Sequence, residues 1–455
     1  MRWHPTIMAD RRAGYHRGPV LLDLVDLRAV PLSEFAAVLP RPVWDDAGPT
    51  AAVADILRQV RRDGDDAVRA LTARFDGVTV DALRVPVQVV RQAPDAVAAD
   101  LRRALEVAYR RVTDYHRHQQ SSDAVVDVDG VTVHHLVRPV ARAGVYAPGG
   151  RAKYPSSVIM GVVPAQVAGV AEIALCAPPG PDGNVAVETL AAAAVCGVDE
   201  VYRIGGAQAI GALAYGTASV PAVDVIVGPG NSYVAEAKRQ VAGQVGIPSA
   251  FAGPSEVVVV ADASVPAEWV AIDVMVQAEH GPDGLAWLVT WDPAVAEDVS
   301  AAVDRLVATS PRRQDLEATL GRSGYAVLVA DAEAAMAVAN LVAPEHLELQ
   351  VADPKALLPA VRSAGAVFLG RLAPASLGDY VAGPNHVLPT ARTARFASAL
   401  RVDDFCTHIH AVEIDQAALE DLGPYVEILA RAEGLAAHAD SVTMRLGQRD
   451  TGGER

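Results

Sequence analysis

The chain has 455 residues, 51% of them hydrophobic and 21% charged, with a formal net charge of −16. That length allows two or more domains around a large buried core, and the composition excludes a disordered or fibrous chain. The acidic balance argues against a nucleic-acid partner, which needs a basic footprint.

Residues 1–44 read as a loose N-terminal extension. Arg2, Arg11, Arg12 and Arg17 fall within its first twenty positions with no apolar run behind them, so no secretory signal is expected. A helical segment follows over 45–142. Its first helix is predicted over 45–76, with Ile56, Val60, Val68 and Leu71 on one stripe, and its second over 95–118. From 143 to 253 the pattern changes to short apolar runs, each ending in a glycine turn or helix. Strands are expected over 143–146, 172–176, 200–204 and 223–227, with a helix over 185–195. The uncharged stretch 154–171 nearly reaches membrane-spanning length. Pro155, Pro164 and Gln166 make it a poor hydrocarbon segment, so a buried helix is expected and no membrane partner.

A second region of the same character spans 254–390. Its strands are predicted over 256–260, 286–289, 325–329 and 366–369, with helices over 265–280, 293–307 and 332–341. Repeated strand, turn and helix mark parallel sheets, so the fold class is α/β: two Rossmann-like parallel-sheet lobes facing a cleft. Residues 391–455 form a C-terminal tail, with one or two helices over 416–446.

Four fragments carry candidate chemistry. Gln277-Ala278-Glu279-His280 puts an amide oxygen and an imidazole three residues apart on one helix face, a half-site for a metal. Asp379 and His438 could complete it with one more oxygen and one more nitrogen, a set suited to zinc. Taken singly, each has a plain alternative: a solvated helix face, a turn aspartate, a histidine at a helix C-terminus. Pro344-Glu345-His346 places a carboxylate beside an imidazole. His346 suits general-base work near neutral pH, and Glu345 could activate water if burial raises its proton affinity. Neighbours on an extended segment point to opposite sides, so the pair serves separate steps or needs a kink after Pro344. Cys176 and Cys196 sit in apolar runs and are expected to be inert rather than nucleophilic, and with Cys406 they imply no disulfide framework. Pro148-Gly149-Gly150, Gly205-Gly206 and Gly228-Pro229-Gly230 depart from the dinucleotide fingerprint, yet each sets backbone amides near a helix start.

Several longer stretches bring a resemblance. Gly144-Val145-Tyr146-Ala147-Pro148-Gly149-Gly150, Gly205-Gly206-Ala207-Gln208, Gly228-Pro229-Gly230-Asn231, Gln277-Ala278-Glu279-His280, Pro344-Glu345-His346-Leu347 and Gly383-Pro384-Asn385-His386 occur in the order found in histidinol dehydrogenases, and the chain resembles that family over roughly 45–446. The resemblance implies a cytoplasmic homodimer with intertwined tails, NAD as oxidant and one Zn2+ per subunit. By the same resemblance Gln277, His280, Asp379 and His438 match zinc ligands, with His438 coming from the other subunit. Glu345 and His346 match catalytic bases. Ser255 and Glu433 match substrate contacts, which also include Gln277, His280, His346, Asp379 and His438. Tyr146, Gln208 and Asn231 match NAD contacts. The implied reaction is oxidation of L-histidinol to L-histidine through L-histidinaldehyde. One departure precedes Ser255: Ile247-Pro248-Ser249-Ala250-Phe251 lacks the family's aspartate and is one residue longer.

Two other readings compete. A paralogue could keep fold, NAD and zinc but oxidise another small alcohol such as a sulfonated diol; Glu433, suited to a cationic amine, speaks against an anionic substrate. A non-catalytic NAD- or metal-binding protein is the other, and the intact Glu345-His346 pair speaks against it.

Overall fold

The fold is that of a computed structural model, which describes residues 21–40, 49–149, 153–248, 255–280 and 284–447. The strands among them are β1 (Asp23–Asp26), β2 (Ala124–Val128), β3 (Val131–Pro139), β4 (Arg142–Tyr146), β5 (Glu172–Ala177), β6 (Val201–Arg203), β7 (Val225–Val227), β8 (Glu256–Ala261), β9 (Leu285–Thr290), β10 (Gly324–Leu328), β11 (His346–Gln350), β12 (Ala366–Leu369) and β13 (Cys406–Ile414). They form a parallel sheet ordered β6-β5-β4-β7, a parallel sheet ordered β1-β10-β9-β8-β11-β12, and an antiparallel sheet ordered β13-β3-β2.

The two parallel sheets share one logic. In each the first strand of the lobe, β4 or β8, lies inside. The next two strands pair outward on one side, and the chain then crosses to the other side with β7 or β11. That reversal is the switch point of a doubly wound sheet. Strands such as β8, Glu-Val-Val-Val-Val-Ala, are buried along their whole length because helices cover both faces. Alternate residues feed opposite layers: Val145 and Leu175 pack on one side of the first sheet, Tyr146, Ala174 and Cys176 on the other. In the second sheet Val257 and Val259 face one layer, Val258 and Val260 the other. The helix Pro155–Ala168 is buried through most of its length and ends on Gly169 in the left-handed region. Among the described residues no helix is long and apolar enough to cross a membrane.

Three features differ from expectation. The residues read as one helix over 45–76 form two, Thr50–Asp63 and Asp65–Phe75, because Gly64 takes φ 56° between them. The region read as a loose extension contains β1, which pairs in parallel with β10 and closes that edge of the second sheet. Only four residues long and half-exposed, it lacks the apolar run that marks an inner strand. The antiparallel sheet joins β2 and β3, which follow the N-terminal helices, to β13 of the tail. Its hairpin turns on Asp129-Gly130, both with positive φ, an aspartate-glycine pair favoured in two-residue turns. The tail itself ends in two helices, Gln416–Ala432 and Ala436–Gly447.

Candidate active site

The carboxyl edge of the first sheet carries Tyr146, Gln208 and Asn231. Tyr146 ends β4, buried, and its hydroxyl oxygen accepts the Gly206 N–H at 3.1 Å. Gln208 lies buried in the first turn of the helix Gly206–Tyr215, its Nε2 without a hydrogen-bond partner among the described residues. Asn231 caps the helix Ser232–Val241, its side-chain oxygen accepting the Tyr233 and Val234 N–H groups at 3.1 Å. Between β7 and that cap, Gly228 has φ 105°, and a Cβ there would lie 2.0 Å from the Tyr146 carbonyl oxygen. The turn is thus pressed against β4 at the switch point, where open sheets of this kind receive nucleotides. The buried, fully charged-capable Lys238 donates to the Gly228 carbonyl from behind, and burial pulls its proton affinity down to about 7.

In the second lobe the chemistry sits at the opposite edge. His346 is the first residue of β11, between Val257 of β8 and Ala366 of β12, so the pair Glu345-His346 lies at the amino ends of the strands. The preceding helix, Ala332–Val342, ends on Ala343 with φ 50°, and Pro344 follows. With that kink both side chains reach one place: His346 Nδ1 is 3.7 Å from Glu345 Oε2, and His346 Nε2 is 3.4 Å from Asp379 Oδ1. The imidazole stacks on Phe368, ring centroids 5.9 Å apart. Glu345 Oε2 also accepts the Glu256 N–H at 3.1 Å.

Burial raises the Glu345 carboxyl to about 7; Asp379 adds to this, while His346 and the Glu256 amide oppose it. Burial alone would lower His346, but Glu345, Asp379 and Glu348 surround it with negative charge and carry it to about 9. Glu256, unmarked by the sequence reading, is pushed to about 8 by burial and by the Glu345 charge. Burial also raises the thiols of Cys176 and Cys196, which makes both inert.

The remaining candidates divide. Gln277 is buried at the end of the helix Ala267–Val276 and starts a 3₁₀ turn, Gln277–His280, instead of continuing an α-helix. The Gln277 Nε2 is buried without a partner among the described residues. A half-turn about the last side-chain bond exchanges amide oxygen and nitrogen, so the oxygen can take this unpaired buried position and face a metal. The His280 side chain lies outside the described part, as do Gly150 and residues 249–254, which include Ser249, Ala250 and Phe251 of the altered stretch. Ser255 is half-buried beside β8, and its carbonyl accepts the Leu285 N–H at 3.0 Å. Glu433 and His438 are exposed on the tail. Among the described residues no three His, Cys, Asp or Glu side chains are arranged to hold a metal ion. One chain therefore unites Glu345, His346 and Asp379 but does not bring His438 into such a group.

His386 was quoted in a motif but given no role by the sequence reading. Its Nδ1 contacts the Asp379 carbonyl at 2.7 Å and its Nε2 lies 3.4 Å from Ser157 Oγ, on the helix that follows β4. This contact joins the carboxyl edge of the first sheet to the amino edge of the second. A lone histidine after Pro-Asn carries no spacing signal, so only the fold reveals it.

Two doubly wound sheets, with a carboxylate and an imidazole buried at the amino ends of the second sheet's strands, have the make-up of an α/β enzyme. The comparisons agree and are specific. A family model for histidinol dehydrogenase matches residues 39–446. The chain is 47% identical over 426 residues to the histidinol dehydrogenase of Gluconobacter oxydans, covering 93% of this chain and 99% of that one. It is 48% identical over 408 residues to that of Aromatoleum aromaticum, covering 89% and 93%. The crystal structure of histidinol dehydrogenase from Elizabethkingia anophelis superposes with TM-score 0.89 at 33% identity, over 94% of this chain and 98% of that one. The chain belongs to the histidinol dehydrogenase family. These relatives do not favour the paralogue or the non-catalytic reading.

Proposed function

We propose that the chain oxidises L-histidinol to L-histidine through L-histidinaldehyde, with NAD as oxidant and Zn2+ in the site. The observation that carries this reading is the buried convergence of Glu345, His346 and Asp379 in a chain of this family. Tyr146, Gln208 and Asn231 would line the NAD site, supported by their common place at the carboxyl edge of the first sheet's switch point and by the unpaired Gln208 amide. Gln277, His280 and Asp379 would hold zinc with His438 of the partner subunit, an oxygen and nitrogen set that suits this metal. When bound, NAD supplies the hydride acceptor for each of two oxidations. When bound, zinc supplies a cationic anchor for the substrate nitrogens.

His346 takes the hydroxyl proton as the alcohol becomes aldehyde; three surrounding carboxylates give it the proton affinity for this. Glu345, held near neutrality by burial, then removes a proton from water that adds to the aldehyde carbon. His346 accepts the proton of the resulting hydrate in the second oxidation. Ser255 and Glu433 would contact substrate, Glu433 by pairing with its amine. Withholding the aldehyde from bulk water keeps a reactive intermediate in place.

A homodimer with exchanged tails is part of the proposal. It is supported by apolar side chains exposed on one continuous set of elements: Val126 on β2, Val412 on β13, and Tyr425 and Ile428 on the tail. The three unpaired thiols suit the cytoplasm. The test is NADH formation by purified protein with L-histidinol, compared with other small alcohols and repeated after chelation. Activity confined to L-histidinol and lost on chelation is expected. Preference for another alcohol overturns the substrate assignment.

A further inference from the structure

Along β11 the residues alternate, and His346, Glu348 and Gln350 share one face while Leu347 and Leu349 enter the core on the other. Behind His346 this row is polar and closed to solvent: Glu348, Gln350 and, from the neighbouring helix Ala267–Val276, Asp273 are all buried. Gln350 Nε2 donates to Asp273 Oδ2 at 2.9 Å and to Glu348 Oε2 at 2.8 Å. The other oxygen of Glu348, Oε1, accepts the Ala375 N–H at 3.0 Å. Ala375 opens the short helix Ala375–Tyr380, whose first turn has amides with no partner inside the helix.

Each arm of this cluster ends on a group of the site. Asp273 lies on the helix that runs without a break into Gln277 and the turn to His280. Glu348 is one strand step from His346 and caps the helix that carries Asp379. Burying two carboxyls is costly, and apolar residues of similar volume would hold a core at least as well. A buried polar network of this kind is retained where geometry must be unique. Burial and the neighbouring Glu348 raise the proton affinity of Asp273.

Resting on the zinc assignment above, we infer that Asp273, Glu348 and Gln350 form a buried tether that fixes the metal-binding residues Gln277 and Asp379 relative to the base His346. They are positioning residues; none touches substrate. Outer partners of metal ligands typically change metal affinity by about 10–100-fold when removed, and the tether serves two ligands and a base together.

The test uses full-length protein with Glu348→Leu, Glu348→Gln and Gln350→Met. Zinc affinity of the metal-free protein is measured by competition with a chromophoric chelator, beside its melting temperature and the kcat and KM for L-histidinol. Glu348→Leu leaves the buried Ala375 N–H without its acceptor, so the metal-free protein should melt somewhat lower; zinc affinity should fall at least tenfold and kcat should fall with it. Glu348→Gln keeps a carbonyl acceptor and should recover most of the zinc affinity. Should Glu348→Leu not fold, Gln350→Met, which keeps volume but unlinks the two carboxyls, should show the same weakened binding. Wild-type zinc affinity in folded Glu348→Leu or Gln350→Met overturns the tether. So does a loss of melting temperature with unchanged affinity. Wild-type protein that binds no zinc overturns the metal assignment instead, which separates the two failures.

Discussion

Glu345 and His346 are adjacent in the chain yet titrate in different ranges, about 7 and about 9, because one is raised by burial and the other by the carboxylates around it. The alcohol step needs His346 unprotonated. Its kcat/KM should therefore climb about tenfold per pH unit below pH 9 and level off above it. In Glu345→Gln one of the carboxylates that raises His346 is gone, so this limb should move to lower pH; a limb that stays fixed would count against the charge argument. The same variant should lose aldehyde oxidation by about 100-fold or more while alcohol oxidation falls far less, since only the former consumes water. Stopped-flow NADH traces with histidinol and histidinaldehyde would separate the steps, and equal losses would refute the division. Residue chemistry was readable in the chain for Glu345, His346 and Asp379. Glu256, Asp273, Glu348 and His386 were not, because their roles come from burial and from partners up to 229 residues away, as in the approach of His386 to Ser157.

At the scale of elements, apolar runs and glycine turns identified the inner strands of both parallel sheets except β11. They were weakest where burial is partial. β1 and the β2–β3 hairpin have exposed side chains, so periodicity alone does not mark them, although Asp129-Gly130 between valine-rich runs is a hairpin signal. β11 was read only as an extended segment, and its setting between β8 and the edge strand β12 explains how the Glu345-His346 pair comes to face Asp379. Lys238 shows what a single element tolerates for a site. Its ammonium is buried under the Gly228 turn and held down to about 7, against an ordinary 10.5. Between those two values the unfolded chain binds a proton that the folded chain does not, so folding stability rises with pH across that window. Lys238→Met should remove this rise. Melting temperatures of wild type and variant, compared at pH 7 and pH 9.5, check it: the wild type should gain on the variant at the higher pH, and parallel curves would refute the buried-lysine account.

At the scale of the molecule, the parts of the proposed site are unequally shared. The bases lie buried at the amino ends of the second sheet's strands, whereas Glu433 and His438 stand exposed on the tail. If the tail of one subunit completes the site of another, mixing His438→Ala with His346→Ala subunits should restore activity in about a quarter of the sites of a randomly reassorted equimolar mixture, about half of whose dimers are heterodimers. Each heterodimer then has one site with both lesions and one with neither. No recovery in demonstrated heterodimers would refute the exchange.

The pairing of Asp23–Asp26 with Gly324–Leu328 has a consequence far from catalysis. Without those first residues, β10 would offer a row of bare amides and carbonyls to any extended peptide, another copy included. The segment that looks most dispensable in the chain acts as a hem on the larger sheet, and trimming it would invite sticking rather than simply shortening the protein.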